Sequence, residues 1–304
     1  MIITECIERV AKKLERAGLS FGHGTDNPSD EAAWLVLHAV GAPLDGSFDR
    51  WEQELGERQL ARVERLLEAR CSSRRPLAYL IGTARFAGLE FEVDENVLVP
   101  RSPLAELILE QFRPWADPER INRVLDMCTG SGCIAIATAV YLPGAKVDAA
   151  DISEAALAVA DRNRQRHRLA GRVSLIRSDL FRSVAECRYD LIVSNPPYVP
   201  VASMADLPQE YRAEPGLGLV SGADGLDAVL SILVDAPRFL SEHGVLVCEV
   251  GESAERLQAC LPGVSFIWLE FEHGGSGVFV LDRAQLAEAH DEVAGLIRER
   301  MNVV

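Results

Sequence analysis

The sequence has no Cys-x-x-Cys pair and no even set of cysteines. Its seven cysteines therefore indicate neither a disulfide framework nor a zinc ribbon, and we predict reduced side chains and no bound metal. No apolar stretch approaches the roughly 20 residues that a membrane span needs. Glu5 and Glu8 stand where a signal peptide would need a basic and then an apolar run. We therefore expect a cytoplasmic protein.

Basic residues are also scarce. The chain has 31 lysines and arginines against 46 aspartates and glutamates, a net charge of −15. Such a surface repels phosphate backbones unless a basic patch is set apart, so free nucleic acid is a poor default partner. A basic protein suits it better, although net acidity also serves solubility alone. The 304 residues are 48% hydrophobic, which excludes a disordered or collagen-like chain and allows one large domain or two modest ones.

One stretch departs from this acidity. Residues 58–75 carry six arginines against Glu64 and Glu68. A solvated helix face explains the arginines, and so does contact with a phosphate-rich partner such as ribosomal RNA. These arginines are Arg58, Arg62, Arg65, Arg70, Arg74 and Arg75.

The sequence predicts helices first and alternating strands and helices afterwards. Apolar spacing predicts helices over 5–17, 31–40 and 51–70, and short apolar runs among glycines from Leu77 to Pro100 predict a connecting hairpin. A helix over 104–113 leads into the alternating region. Its predicted strands are 122–127, 146–151, 173–179, 189–194, 244–250, 265–271 and 277–282, and its predicted helices lie near 132–142, 153–168, 223–240, 253–261 and 283–301.

This alternation predicts a mainly parallel sheet that is covered on both faces. The last two strands are joined by a glycine-rich turn that is too short for a crossover helix, so one strand must be reversed. We therefore predict an α/β protein with a seven-stranded sheet whose last strand is antiparallel. The predicted domains are a helical domain over 1–76, a β-hairpin linker over 77–101 and an α/β domain over 102–304.

A glycine-rich turn follows the first strand of the α/β region. The run from Asp126 to Ala135 ends a strand, turns and opens an apolar helix, which is the context of a nucleotide-binding loop. Gly130 can adopt a positive φ, and Gly132 lets a ligand approach the backbone. The second strand ends at Asp151, about 20 residues later, where a carboxylate can accept hydrogen bonds from a ribose. These features alone suit an NAD-dependent dehydrogenase equally well.

Asp126 favours S-adenosylmethionine over a dinucleotide. A dinucleotide would place its pyrophosphate on the glycine loop, where the carboxylate of Asp126 would repel it. S-adenosylmethionine has no phosphate, and its ammonium and sulfonium groups are attracted by a carboxylate. Asp179 ends the third strand and is placed to meet an adenine amino group, although capping of a turn would explain either aspartate.

The fourth strand runs directly into the tetrad Asn195-Pro196-Pro197-Tyr198. Ligands of open α/β sheets bind beyond the carboxyl ends of the strands, so the tetrad faces the same crevice as the glycine loop. The prolines stiffen the turn and leave backbone carbonyls free to accept. Asn195 Oδ1 and the Pro196 carbonyl would take the two hydrogens of a planar NH2 group, and Tyr198 would pack on its face. The tetrad predicts methylation of an amide or aryl amine by orientation, without a strong general base.

The sequence resembles the class I, S-adenosylmethionine-dependent protein glutamine methyltransferases, and it is most similar to the branch that acts on ribosomal protein L-3. The resemblance covers nearly the whole chain. It implies a Rossmann-like methyltransferase sheet, a helical substrate-binding domain, and methylation of a glutamine side-chain amide in L-3, free or in an assembly intermediate. The segments that carry it are Val97 to Pro103, Asp126 to Ala135, Asn195 to Val199, Leu207 to Pro215, Gly222 to Leu226, Trp268 to Phe271 and Gly277 to Phe279.

The resemblance and the motifs together predict the site residues. For Arg101 a structural ion pair is equally open, and either Leu180 or Phe181 would cover the adenine. The predicted catalytic residues are Asn195, Pro196 and Tyr198, and the substrate-binding residues are Asn195, Pro196, Pro197, Tyr198 and Arg101. The predicted cofactor-binding residues are Asp126, Thr129, Gly130, Gly132, Asp151, Ile152, Asp179, Leu180 and Asn195.

Three other functions stay open. The branch that methylates peptide release factors shares the tetrad, but it usually has a Thr-Glu pair after Pro-Arg, where this chain has Leu104-Ala105, and an aromatic residue where it has Leu180. Methylation of the adenine exocyclic amine in nucleic acid also suits the tetrad, but the net charge of −15 disfavours it. The glycine loop with Asp151 leaves an NAD-dependent oxidoreductase open, and Asp126 opposes it.

Overall fold

The computed structural model describes residues 1–302, and the chain divides into two compact units. The helical unit comprises Met1–Glu95, Val99–Arg101 and Leu207–Glu214. The sheet unit comprises Asn96–Leu98, Ser102–Asp206 and the chain from Pro215 onward. Each unit is therefore built from separate stretches of sequence, whereas the predicted domains are continuous.

The helical unit has an apolar core between amphipathic helices. On α1 the buried residues Ile3, Cys6, Val10 and Leu14 recur at intervals of three or four, which places them on one face. The hairpin strands pair antiparallel, as predicted. The elements are α1 (Ile3–Arg16), α2 (Pro28–Val40), α3 (Glu57–Ser73), α4 (Leu77–Ile81), β1 (Thr83–Phe86) and β2 (Leu89–Glu92).

The third helix begins later than the predicted residue 51. Helix α3 starts at Glu57, whereas the chain turns at residues 51–52 and then runs antiparallel to the start of the chain over residues 53–55. The Leu55 amide donates to the Met1 carbonyl at 3.0 Å, and the Ile3 amide donates to the Gln53 carbonyl at 3.0 Å. Leu55 is buried in this extended form. The apolar residue Leu55, which contributed to the predicted helix, is thus buried although it lies outside α3.

The segment Leu207–Glu214 belongs to the helical unit through two buried glutamates. Glu210 accepts from the Ser20 amide at 3.0 Å and pairs with Arg74 at 2.8 Å. Glu214 accepts from the Val99 amide at 3.0 Å. Because a buried carboxylate without partners is costly, these contacts tie the segment to the unit.

The sheet unit contains, within residues 1–302, a seven-stranded sheet in the order β5-β4-β3-β6-β7-β9-β8. Strands β3 to β7 are parallel, and β9 is antiparallel to both of its neighbours. The predicted sheet with a reversed last strand is confirmed. The strands are β3 (Arg123–Met127), β4 (Lys146–Asp151), β5 (Val173–Arg177), β6 (Tyr189–Ser194), β7 (Leu240–Glu249), β8 (Ile267–Trp268) and β9 (Val278–Asp282).

The helices of the sheet unit differ from the predicted bounds mainly at their ends. Helix α5 stops short of the predicted residue 113 because Gln111 and Phe112 adopt positive φ angles. Helix α9 begins after a turn in which Gly225 has φ +85°, rather than at residue 223. The helices are α5 (Leu104–Leu109), α6 (Cys133–Tyr141), α7 (Glu154–Arg166), α8 (Gly216–Leu219), α9 (Asp227–Phe239), α10 (Ala254–Cys260) and α11 (Arg283–Asn302).

The centre of the sheet is apolar on both faces. Val124 and Leu125 of β3 and Leu191 and Ile192 of β6 are all fully buried. Covered parallel strands require such continuous apolar runs, and burial of each aliphatic side chain stabilises the fold by about 1.5–3 kcal/mol.

Strand β8 lies at the sheet edge and spans two residues instead of the predicted 265–271. No helix in residues 1–302 is long and apolar enough to cross a membrane.

Candidate active site

The carboxyl ends of the central strands meet at one edge of the sheet. Met127 at the end of β3 pairs with Ala150 of β4 and with Ser194 of β6. The Ser194 hydroxyl also donates to the Met127 carbonyl at 2.7 Å. The glycine loop leaves β3 directly after Met127, and the tetrad leaves β6 directly after Ser194. The two motifs therefore start side by side, as the strand order requires.

Asp126 is fully buried and holds the glycine loop from inside. Its Oδ2 accepts from the Thr129 hydroxyl at 2.5 Å and from the Ala135 amide at 2.9 Å. Its Oδ1 has no hydrogen-bond partner among the described residues. Burial raises the pKa of Asp126 to about 7, although the two hydrogen bonds oppose the rise. An unpartnered carboxylate oxygen at this position fits a ligand that carries positive charge.

The two glycines of the loop have different surroundings. Gly130 has φ +55°, and a Cβ there would meet nothing within 4 Å. Gly132 has φ +78°, and a Cβ there would lie 3.1 Å from the Cβ of Ala160 on α7. Gly132 therefore allows α6 to pack closely on α7, whereas the loop is open to a ligand at Gly130.

Asp151 joins the glycine loop to the start of α7. Its Oδ2 accepts from the Gly130 amide at 2.9 Å, and its Oδ1 accepts from the Ser153 amide at 2.8 Å. Burial raises the pKa of Asp151, and the backbone hydrogen bonds partly offset the rise. Each carboxylate oxygen retains a further lone pair that suits a ribose hydroxyl. The neighbouring Ile152 is 46% exposed, which suits contact with an apolar ring.

The turn after β5 contains one half-buried and one buried apolar side chain. Phe181 is buried and stacks on Phe239 with ring centroids 4.6 Å apart. Leu180 is half-buried, so of the two candidates to cover an adenine it is the one left accessible. Asp179 pairs with Arg182 at 2.6 Å and is itself partly exposed.

The tetrad has two acceptor oxygens at the carboxyl end of β6, one on the half-buried Asn195 and one on the buried Pro196. Asn195 is half-buried, and no hydrogen bond from within residues 1–302 reaches its side-chain oxygen or the Pro196 carbonyl. The chain beyond the tetrad is fixed, because the Val199 amide donates to the Leu219 carbonyl at 2.8 Å. Asn195 and Pro196 can therefore accept both hydrogens of one NH2 group.

The sequence prediction missed a carboxylate next to the tetrad. Glu249 ends β7 and is buried, and its Oε1 accepts from the Tyr198 hydroxyl at 3.2 Å. An acidic residue near the end of the predicted strand 244–250 was a signal of the same kind that singled out Asp151. The Ser102 hydroxyl donates to the other oxygen of Glu249 at 2.5 Å, and its role carried no sequence signal.

Arg101 lies in the helical unit and forms the ion pair that the sequence left open. Its two terminal nitrogens each donate to an oxygen of Glu214 at 2.6 Å, and its guanidinium lies 5.2 Å from the ring centroid of Tyr211. Burial alone would raise the pKa of Glu214, but the nearby His23 and the hydrogen bonds from Arg101 lower it to about 2. Substrate binding by Arg101 stays a prediction.

The basic stretch 58–75 is only partly exposed. Arg58, Arg62 and Arg65 face solvent on α3. The other three arginines form ion pairs within the helical unit: Arg70 with Glu31 at 2.7 Å, Arg74 with Glu210 at 2.8 Å and Arg75 with Glu95 at 3.0 Å.

The sheet order, the glycine loop and the tetrad define a methyltransferase of the α/β class. The family described as Methyltransferase small domain matches residues 105–207. The family described as PrmC N-terminal domain matches residues 5–82. The chain is therefore a methyltransferase.

Three curated relatives that match almost the whole chain share one name, ribosomal protein uL3 glutamine methyltransferase. Two come from strains of Xylella fastidiosa and are 49% and 50% identical, each over 98% of this chain and 95% of the relative. One from Xanthomonas campestris pv. campestris is 49% identical over 93% of this chain and 92% of the relative. The chain belongs to the family of ribosomal protein uL3 glutamine methyltransferases, where uL3 is the protein called L-3 above. The predicted resemblance is confirmed.

Proposed function

We propose that this chain transfers the methyl group of S-adenosylmethionine to the side-chain amide nitrogen of a glutamine in ribosomal protein uL3. The observation that carries the proposal is the pair of acceptor oxygens on Asn195 and Pro196, which no group within residues 1–302 occupies. A primary carboxamide offers two N–H donors, so it matches this pair. The names of the relatives support uL3 as the substrate.

The residues around the glycine loop fit S-adenosylmethionine. The open backbone at Gly130 and the free lone pairs of Asp151 suit its methionine and ribose parts, and the unpartnered oxygen of Asp126 suits its positive charge. Ile152 and Leu180 supply accessible apolar side chains for the adenine. When bound, the cofactor supplies an activated methyl group on a sulfonium. Residues 1–302 contain no group of three or more metal-ligating side chains, and a reaction without metal stays our prediction.

The tetrad would act by orientation. An amide nitrogen is a poor nucleophile because its lone pair is delocalised. Asn195 Oδ1 and the Pro196 carbonyl accept its two hydrogens, and Tyr198 packs on its face, so the nitrogen is held in one direction. Orientation of this kind can contribute up to about 7–11 kcal/mol. No side chain has to remove the proton before the methyl arrives, and water takes it afterwards.

The proposed partner agrees with the charge of the chain. A net charge of −15 complements a basic ribosomal protein, free or in an assembly intermediate, which the helical domain over 1–76 would bind in the cytoplasm. If ribosomal RNA contributes to binding, the exposed Arg58, Arg62 and Arg65 are the residues that would contact it.

A methylation assay with labelled cofactor tests the proposal. Purified uL3, a peptide release factor and ribosomal RNA are offered separately, and we expect label on a uL3 glutamine that mass spectrometry then locates. Label in the release factor but not in uL3 would indicate that the chain methylates peptide release factors instead. Label in the RNA alone would indicate an adenine methyltransferase.

A further inference from the structure

Tyr198 of the tetrad is held at three points within the sheet unit. Its hydroxyl donates to Glu249 Oε1 at 3.2 Å, and its carbonyl accepts from the Ser253 hydroxyl at 2.8 Å. Its ring lies against the backbone of Gly251, where an added Cβ would come within 2.7 Å of the ring atoms Cε2 and Cζ. The ring therefore has little freedom to turn or to move away.

The surface beneath the ring is glycine backbone in two layers. An added Cβ at Gly277 would lie 2.1 Å from the Gly251 carbonyl oxygen. The Val250 amide donates to the Gly277 carbonyl at 2.7 Å, which fixes the layers to each other. The ring of Tyr198 thus packs against fixed backbone, and its hydroxyl is held by the hydrogen bond to Glu249.

Glu249 is itself fixed on both oxygens. It is 5% exposed and follows Cys248, which pairs with Ser194 immediately before the tetrad. Its Oε2 accepts from the Ser102 hydroxyl at 2.5 Å, and the oxygen of that hydroxyl accepts from the Leu104 amide at 3.2 Å. A hydroxyl has one hydrogen, so the Ser102 bond to Glu249 has a defined direction. The carboxylate of Glu249 is therefore held in a position where it accepts the hydrogen bond from the Tyr198 hydroxyl.

We infer that Glu249 is a positioning residue that holds the hydroxyl of Tyr198 and so keeps the ring face where the substrate amide binds. This inference rests on the proposed function, in which Tyr198 packs on that amide. Glu249 does not touch the substrate in this account. In this proposal the effect of Glu249 on turnover passes through the Tyr198 hydroxyl, so Glu249→Ala and Tyr198→Phe should lower kcat by a similar factor, although Glu249→Ala also removes the acceptor of the Ser102 hydroxyl.

A double-mutant cycle on uL3 methylation tests the inference. Glu249→Ala and Tyr198→Phe should each lower kcat by about tenfold, and the double variant should be no slower than either single variant. The cofactor dissociation constant should be unchanged in all of them, because neither side chain lies at the glycine loop. Independent losses that multiply to about a hundredfold in the double variant would overturn the inference.

Two further variants separate positioning from general damage to the fold. Glu249→Gln retains an oxygen that can accept from Tyr198, so it should recover most of the kcat lost in Glu249→Ala. The matched control is Glu252→Ala, which removes the same charge from an exposed side chain nearby and should keep the kcat of the wild type. A Glu249→Gln variant as slow as Glu249→Ala would overturn the inference.

The free energies of unfolding of the same proteins complete the test. The contact is purely structural if the effects of the two substitutions on the free energy of unfolding are non-additive while their effects on kcat are independent. In that case the inference is wrong. If the wild-type chain leaves uL3 unmethylated, the proposed function falls and the inference with it. An active wild type with independent losses overturns the inference alone.

Discussion

The carboxylate of Asp151 accepts a hydrogen bond from the backbone amide of Gly130 at 2.9 Å, across the gap between β4 and the loop that follows β3. The residue expected to bind the ribose therefore also fixes the loop expected to bind the methionine part of the cofactor. We therefore expect the affinity for the cofactor and the rigidity of the glycine loop both to depend on Asp151.

Asp151→Ala should weaken binding of S-adenosylmethionine by about 10- to 100-fold, because it removes a charged acceptor and releases Gly130. Isothermal titration calorimetry measures the affinity, and amide hydrogen exchange at Gly130 should become faster in the same variant. Asp161→Ala is the control, because the hydrogen bonds of that carboxylate, from Arg164 and Gln165, stay within α7. An unchanged affinity in Asp151→Ala would exclude the ribose assignment.

Asn195→Ala should lower kcat by about 100- to 1000-fold, because one of the two oxygens that orient the amide is lost. The cofactor dissociation constant should change little. Asn122→Ala provides a control of the same residue type, since Asn122 is exposed and precedes β3 at the opposite edge of the sheet. If steady-state assays show the same turnover for Asn195→Ala and the wild type, the tetrad does not act by orientation.

Affinity for S-adenosylmethionine should rise with pH around neutrality. The pKa of Asp126 is raised to about 7, so its carboxyl is mostly neutral at pH 6 and mostly charged at pH 8. A charged carboxylate attracts the cationic cofactor, and the dissociation constant should fall by up to about tenfold between these values. Titrations at both pH values measure it. Asp126→Asn should flatten the dependence, and an identical dependence in that variant would assign it to another group.

The same shift has the opposite effect on stability. A raised pKa means that the folded protein retains a proton that the unfolded chain loses near pH 4. The stabilisation that Asp126 provides is therefore complete at low pH and is lost as the pH rises through about 7. Cofactor binding and fold stability thus respond to the ionisation of Asp126 in opposite directions.

Arg101→Ala should lower the free energy of unfolding by about 3 kcal/mol at pH 7, because it leaves the buried Glu214 without its bidentate partner. Urea denaturation measures this loss. The control is Arg75→Ala, which breaks an exposed ion pair with Glu95 and should cost about 0–1 kcal/mol. Equal losses in the two variants would contradict the prediction.

Glu214 also sets a pH window for this contribution. Its pKa is lowered to about 2, so its stabilisation is present above about pH 4.5 and is lost as the pH falls toward 2. The difference in unfolding free energy between the wild type and Arg101→Ala should therefore shrink in acid. A difference that stays constant from pH 7 to pH 3 would assign the stabilisation to a different contact.

Local patterns in the sequence were sufficient for the strands of the sheet other than β8, and for the position of the tetrad directly after β6. Alternating apolar runs predicted the strands, and the short turn before β9 predicted its reversal, because both depend on neighbouring residues. The extended course of residues 53–55 was not predictable in this way, since its partners are at the start of the chain. Glu249 was missed for a related reason: its importance lies in a contact with Tyr198, 51 residues away.

The membership of Leu207–Glu214 in the helical unit has a consequence for protein engineering and for evolution. A chimera that exchanges residues 1–101 between two relatives would leave behind Glu210 and Glu214, whose arginine partners travel with the exchanged segment. To transfer the whole helical unit, the chimera must also exchange Leu207–Glu214, which takes two more cuts within residues 102–304. The part that we expect to recognise the substrate is therefore inherited as interleaved pieces, and a single crossover cannot transfer it intact.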